Sequence, residues 1–314
     1  MRRSGRIDWR TSGAALLLLA LAACSEEPRY TEAPETSLTK VNSATGYVNA
    51  ERRTFAYDGE GRLVLETTSQ WIGGTWQDDA SYAAVYDADG LLSSRTSGRV
   101  RVTYEYADGL LSLQTQWKRD DQSAEWVADR RRSYSYDGDG HLVAVADSRL
   151  VSGAFADDCR QRFSYSGGTL PVGIDRYCPG EDGTFGATPL EHVDLSYDGS
   201  KLTAMVESDA GGSARRTALT YAGDELTRFD IETKSGGGDA VYAPAMTVKL
   251  SRSGSTVLAT VSQWTGTDWV DAAQVETKLT TAGNSSFLGG VWVPEPVHRD
   301  WREWLYYGAS PTWR

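Results

Sequence analysis

Apolar and polar residues alternate with a period of two through most of this chain, and Asp- and Gly-rich reversals interrupt the alternation at regular intervals. In Arg101-Val102-Thr103-Tyr104-Glu105-Tyr106 the apolar set is Val102, Tyr104 and Tyr106, while Arg101, Thr103 and Glu105 fall on the other face. Such alternation marks a strand with one buried side. Past the next reversal the same face is predicted to continue through Leu111, Leu113, Thr115 and Trp117; Phe55, Tyr57, Leu63, Leu65 and Trp71 form a second such series. The expectation is a sheet with one aromatic face and one charged face.

Two kinds of reversal recur. The first is Tyr-Asp-x-x-Gly-x-Leu, intact at Tyr57 to Leu63, Tyr86 to Leu92 and Tyr136 to Leu142. Shortened forms stand at Tyr106 to Leu111, Tyr165 to Leu170, Tyr197 to Leu202 and Tyr221 to Leu226, with degenerate copies at Leu250 to Val257 and Thr281 to Asn284. The second kind is bounded by tryptophans, Trp71 to Trp76, Trp117 to Trp126 and Trp264 to Trp269, with a reduced version from Arg149 to Phe155. Asp and Gly suit both, because they tolerate the left-handed backbone of tight hairpins. Two strands per repeat of roughly 29 residues predict roughly 15 to 18 antiparallel strands, with helix close to absent. Open twisted sheets seldom exceed about ten strands. The expected fold class is therefore all-β, a long up-and-down meander curled into a barrel-like or porin-like sheet.

The amino terminus is different in kind. Arg2, Arg3, Arg6 and Arg10 precede a short apolar run from Ala14 to Ala23, the pattern of a secretory signal. That run is shorter than the about 20 apolar residues a membrane span needs. It closes in Leu21-Ala22-Ala23-Cys24, which resembles the lipobox of bacterial lipoproteins. The resemblance implies cleavage before Cys24, a lipid on that cysteine, and anchorage to a membrane, with Ser25 favouring the outer one. The expected organisation is a signal peptide over 1–23, a lipidated polar linker over 24–50 and a repeat domain over 51–314. Within the last, about residues 285–314, with Trp292, Trp301, Trp304, Tyr306 and Tyr307, are expected to cap an open sheet edge.

Charge and cysteine usage sharpen this picture. The whole chain has 32 basic and 43 acidic residues, net −11; without residues 1–23 four arginines and Asp8 are lost, leaving 28 against 42, net −14. An acidic surface disfavours nucleic acid as a partner. With Cys24 assigned to lipid, Cys159 and Cys178 remain as a pair in an oxidising compartment. If Tyr165 stands opposite Leu170, Cys159 falls opposite Arg176, two positions short of Cys178. One bulge or slipped turn then brings the sulfurs together, so a cross-strand disulfide is predicted.

Candidate chemistry is sparse. His141, His192 and His298 are isolated and lie in no metal-ligand or catalytic-triad spacing. Asp87-Ala88-Asp89-Gly90 and Asp137-Gly138-Asp139-Gly140 echo calcium loops without the later carboxylates, and read as turns. The adjacent acids Asp78-Asp79, Asp120-Asp121 and Asp157-Asp158 argue against a glycosidase pair, since neighbours on a strand face opposite ways. No catalytic residue, metal or cofactor is expected. The best lead is the set Trp71, Trp76, Trp117, Trp126, Trp264 and Trp269, whose rings stack on sugars or anchor a protein partner if exposed. The blander reading is cross-strand packing that stiffens the hairpins and fills a barrel end.

On its Tyr-Asp copies, over about residues 51 to 260, the chain resembles the RHS or YD-repeat proteins. It resembles more closely the envelope lipoproteins whose Tyr-Asp-x-x-Gly-x-Leu repeats form a porin-like β-barrel of unknown function. The resemblance implies a non-enzymatic envelope protein with a structural or interaction role, its partner an envelope protein or a glycan. Two alternatives stand beside it: a carbohydrate-binding surface lipoprotein using the tryptophan turns, and an integral outer-membrane barrel with its Tyr/Leu/Trp face in lipid.

Overall fold

The computed structural model describes residues 32–281, apart from 169, 181, 200, 224 and 237–239. Among the described residues there are eighteen strands and no helix. The first six are β1 (Glu32–Ser43), β2 (Gly46–Tyr57), β3 (Leu63–Ile72), β4 (Thr75–Tyr86), β5 (Leu92–Ser97) and β6 (Val100–Ala107). Then come β7 (Leu110–Arg119), β8 (Trp126–Tyr136), β9 (Leu142–Val151), β10 (Ala154–Tyr165), β11 (Pro171–Tyr177) and β12 (Glu191–Asp198). The last are β13 (Lys201–Asp209), β14 (Ala214–Ala222), β15 (Glu225–Lys234), β16 (Ala243–Ser253), β17 (Thr256–Trp264) and β18 (Trp269–Thr281). Each pairs antiparallel with the next, and β1 pairs with β18 as well as with β2, so the meander closes into a barrel. The segment expected as a linker, 24–50, is in its described part strand instead: β1 and the start of β2 complete the wall. No Tyr-Asp copy marks β1.

The Tyr-Asp reversals all lie at one end of the barrel, and each motif residue has a task there. Asp58 Oδ1 accepts from the backbone N–H of Glu60 and of Arg62, both at 2.9 Å. Asp87 and Asp137 repeat this on Leu91 and His141, each at 2.8 Å. The motif glycine takes positive φ, 79° at Gly61, 81° at Gly90 and 84° at Gly140, which a side chain would strain. The tyrosine hydroxyl reaches back one repeat: Tyr86 donates to Leu63 O at 2.9 Å, Tyr106 to Leu92 O at 3.0 Å, Tyr136 to Leu111 O at 3.0 Å and Tyr165 to Leu142 O at 2.8 Å. Tyr221 does the same to Leu202 O, and Tyr57 to Pro34 O on β1. The residue before the motif leucine covers the next tyrosine, with Arg62 over Tyr86 at 4.7 Å and His141 stacked on Tyr165 at 5.1 Å.

The faces differ from the simple period of two. A register shift falls immediately before the motif tyrosine in all seven copies, Tyr57, Tyr86, Tyr106, Tyr136, Tyr165, Tyr197 and Tyr221. One extra residue after the motif leucine reverses the alternation. Leu63 and Leu111 therefore face inward with their tyrosines, whereas Leu65, Leu113, Thr115, Trp71 and Trp117 face outward, against expectation. The same device settles the cysteines. Tyr165 pairs with Pro171 rather than Leu170, and the bulge beyond it sets Arg160 opposite Tyr177. Cys159 thus faces Cys178, and the two form the predicted disulfide with Cα atoms 4.2 Å apart.

An eighteen-strand barrel of round section would enclose water. Here Leu111, Val248, Ala259 and Val275 are fully buried, within one apolar cluster that runs from Tyr104 on β6 to Val275 on β18. Inner side chains cover one another and the interior is packed. Between β2 and β5 the buried inner residues are instead Arg53, Phe55, Glu66, Thr68 and Arg95. The outer wall is polar: Glu105, Arg162, Asp194, Arg216, Lys249 and Glu276 each alternate with a buried inward neighbour.

Candidate functional site

The tryptophan hairpins occupy the end opposite the Tyr-Asp turns. Trp71 pairs with Trp76 across β3 and β4, with ring centroids 5.0 Å apart at 64°. Trp264 pairs with Trp269 across β17 and β18, at 5.4 Å and 59°. Trp117 and Trp126 lie diagonally across β7 and β8, whose register sets Trp117 opposite Ala128 and Arg119 opposite Trp126. Gln70, next to Trp71, points inward and donates to Glu51 Oε2 at 3.1 Å. Gln263, next to Trp264, pairs with the inward, buried Met246. The six rings therefore stand on the outer face at the rim; they do not fill the barrel end.

Most of the exposed large apolar side chains share this end. Ile72, Val127 and Val270 lie next to the tips of the tryptophan hairpins, and Val41, Val48, Val100 and Val151 next to the tips of the β1–β2, β5–β6 and β9–β10 hairpins at the same end. Beneath them the interior is ionic. Glu66 receives Arg53 at 3.1 Å and Arg95 at 3.8 Å, Arg53 also meets Glu51 at 2.7 Å, and Arg95 lies 3.9 Å over the Tyr82 ring. Further round, Arg132 grips Asp147 at 2.7 and 3.2 Å, and Arg176 bonds Glu191 at 3.0 Å beside the disulfide. Burial pushes the Glu207 carboxyl up to about 7, with Arg215 opposing the shift and Glu191 adding to it.

The histidines and paired acids are accounted for by local structure. His192 bridges Asp175 at 2.7 Å and Asp194 at 3.0 Å on the outer wall. Burial there works against the charged ring, but the two carboxylates outweigh it and raise the histidine above its ordinary range. Asp137, Asp139 and His141 bring their ligand atoms within 4.8 Å of one another, a spacing that could hold a cation. Arg62 occupies the place of His141 in the first repeat and makes the same contact, donating to Asp58 Oδ2 at 2.7 Å. The cluster is thus a turn closed by a side chain on the motif aspartate, the His141 ring in one repeat and the Arg62 guanidinium in another. Asp79 and Asp158 are the extra residues of bulges, so the simple opposite-faces rule does not govern those two acid pairs. The bulges carry no sequence signal beyond the Asp-Asp doublet itself. Cys24, His298 and the aromatic group from Trp292 to Tyr307 lie outside the described residues.

No family model and no curated protein matches the chain. Among solved structures, a porin-like protein from Bacteroides uniformis is similar over 80% of this chain and 96% of its own, at 12% identity and a TM-score of 0.41. A DUF3836 family protein from Bacteroides vulgatus is similar over 29% of this chain and 93% of its own, at 12% identity and a TM-score of 0.25. Neither likeness is close enough to lend this chain a role.

Proposed function

We propose that the chain is a non-enzymatic, YD-type repeat lipoprotein of the bacterial envelope, a lipid-tethered barrel that holds its tryptophan end away from the membrane anchoring it. The observation that carries this reading is where the first and last strands end: Glu32 of β1 pairs with Thr281 of β18 at the Tyr-Asp end. Only residues 25–31 separate Cys24 from Glu32, and fully extended they reach about 27 Å. A lipid on Cys24 would keep the Tyr-Asp end close to the bilayer and turn the opposite rim outward.

The charged outer wall supports a barrel standing in water over one spanning lipid. Each Arg or Lys on a lipid-facing position costs about 2–4 kcal/mol at the bilayer midplane, Asp and Glu less, and the Tyr/Leu face that could have met lipid is turned inward. An interior packed with side chains and ion pairs likewise supports a spacer rather than a pore. The test is to export the protein with residues 1–24 replaced by an ordinary cleavable signal peptide. The released form is expected in the soluble fraction, while the native form stays with membranes and incorporates labelled fatty acid. Retention of the lipid-free form in membranes after high-pH washing would overturn the tether and favour an integral barrel.

A further inference from the structure

The three tryptophan hairpins differ in what lies over their rings. Trp126 sits beneath the Arg101 guanidinium at 4.7 Å, and Trp117 donates its indole N–H to Thr103 Oγ1 at 3.0 Å. Trp76 sits beneath Arg52 at 4.9 Å. Trp269 is 42% exposed, the one tryptophan among the large apolar residues that stand open to solvent within the described residues. Trp264 braces it from the side, and the tip between them is held by Thr265 N–H and Oγ1 donating to Asp268 O at 2.9 and 3.0 Å.

The hairpin tips around Trp269 are also sparsely charged. Three successive hairpins, β17–β18, β1–β2 and β3–β4, form one six-strand sector. Their tips, residues 264–269, 43–46 and 72–75, contain Asp268 as their single charged residue; the β7–β8 tip carries Arg119, Asp120, Asp121 and Glu125. An open indole face on a tip that carries the Thr265 and Thr267 hydroxyls and the Asp268 carboxylate, with Asn42 and Ser262 both bonded to Asp271 two positions along β18, matches a neutral polyhydroxylated ring. The C–H face of such a ring packs on the indole while its hydroxyls take the polar groups. A net charge of −11 disfavours anionic polymers and lipid headgroups.

We infer that Trp269, braced by Trp264, is the stacking platform of a binding site for a neutral glycan chain. Trp71, three strands away and about 14 Å across the sheet, offers a second contact for a ligand several sugar rings long. This deepens the reading of the rim as the outward-facing end, and it is tested separately from the tether.

The full lipidated protein, purified in detergent, is run through native gels containing glucan, xylan or mannan, with a blank gel beside each. Retardation by at least one neutral polysaccharide is expected. Trp269→Ala should weaken it roughly tenfold, about 1.4 kcal/mol, Trp71→Ala by less, and Trp126→Ala not at all. Thermal melts of all variants, with Trp269→Phe as the conservative change, separate lost binding from lost folding. No retardation of the native protein on any gel overturns the proposal. So does equal loss in Trp126→Ala and Trp269→Ala, or a Trp269-dependent binding to phosphatidylcholine vesicles without glycan binding. The lipid tether survives each of these, since it depends on Cys24; vesicle binding through Trp269 would overturn only the outward orientation of the rim.

Discussion

Between β2 and β5 the barrel interior shuts water away from charges; between β12 and β18 it shuts water away from hydrocarbon. In the first region Glu66 sits between Arg53 and Arg95, with side chains 4%, 10% and 9% exposed. In the second, Leu195, Met205, Phe229, Val248, Val261 and Val275 interdigitate with exposures of 5% or less. Both are dry, but their energetics differ. Apolar packing stabilises in proportion to buried area and tolerates small errors of fit. A buried ion cluster stabilises little in net terms, yet fails steeply when one partner is lost. The barrel thus has a forgiving sector and a brittle one.

The brittle sector gives the largest expected effect. Glu66→Ala strips the carboxylate from between two guanidinium groups and should cost about 3–5 kcal/mol in urea unfolding, with Glu66→Gln falling between it and the native chain. A loss under 1 kcal/mol would mean that water already reaches those arginines. In the forgiving sector Met205→Ala should cost about 2–5 kcal/mol, and a larger, isosteric swap Met205→Leu under about 1.5 kcal/mol. If the Leu variant is as damaged as the Ala variant, that sector is as exacting as the ionic one.

Where the two chemistries meet, pH is the probe. Glu207 lies beside Val193 and Met205 and is pushed from 4.5 up to about 7, chiefly by burial. A carboxyl raised in the folded state holds a proton that the unfolded chain releases, so stability should fall as pH rises from about 4.5 to about 7. The drop is on the order of 2–3 kcal/mol, and Glu207→Gln should flatten the profile over that window. An unchanged slope in the variant would place the responsible group elsewhere.

The smallest effects test the tyrosine contacts at the opposite end. Tyr136→Phe removes a bond to Leu111 O and should cost about 1 kcal/mol. Tyr197→Phe should cost almost nothing, because the buried Tyr197 hydroxyl has no hydrogen-bond partner among the described residues. One repeat earlier, Pro171 rather than Leu170 stands opposite the motif tyrosine. Equal losses in the two variants would show that the hydroxyl bonds contribute nothing specific.

Much of this architecture was legible from the chain. The Tyr-Asp copies located their reversals, the repeat length bounded the strand number, and Cys159 and Cys178 were two positions from facing each other in the simplest register. What escaped was the insertion after each motif leucine, since a bulge adds one ordinary residue such as Val64 or Ser112 and leaves no compositional mark. That single residue turns Leu65, Leu113, Trp71 and Trp117 outward. The ionic interior escaped for a different reason: Arg53, Glu66 and Arg95 occupy core positions while reading as surface. The rim site was legible in its aromatics alone, because only cross-strand geometry separates open Trp269 from covered Trp126.

Closure of β1 on β18 has a consequence for how this protein comes to be. Ser37 and Thr277, which touch across that junction, are 240 residues apart in sequence. A chain emerging amino terminus first can pair its opening strand with β2 at once, but must leave that strand's other edge open until nearly all the rest has been made. Contacts so distant make for slow assembly. Maturation should therefore end in one late event, and a truncation that removes β18 should forfeit the whole cylinder and not merely its final stave.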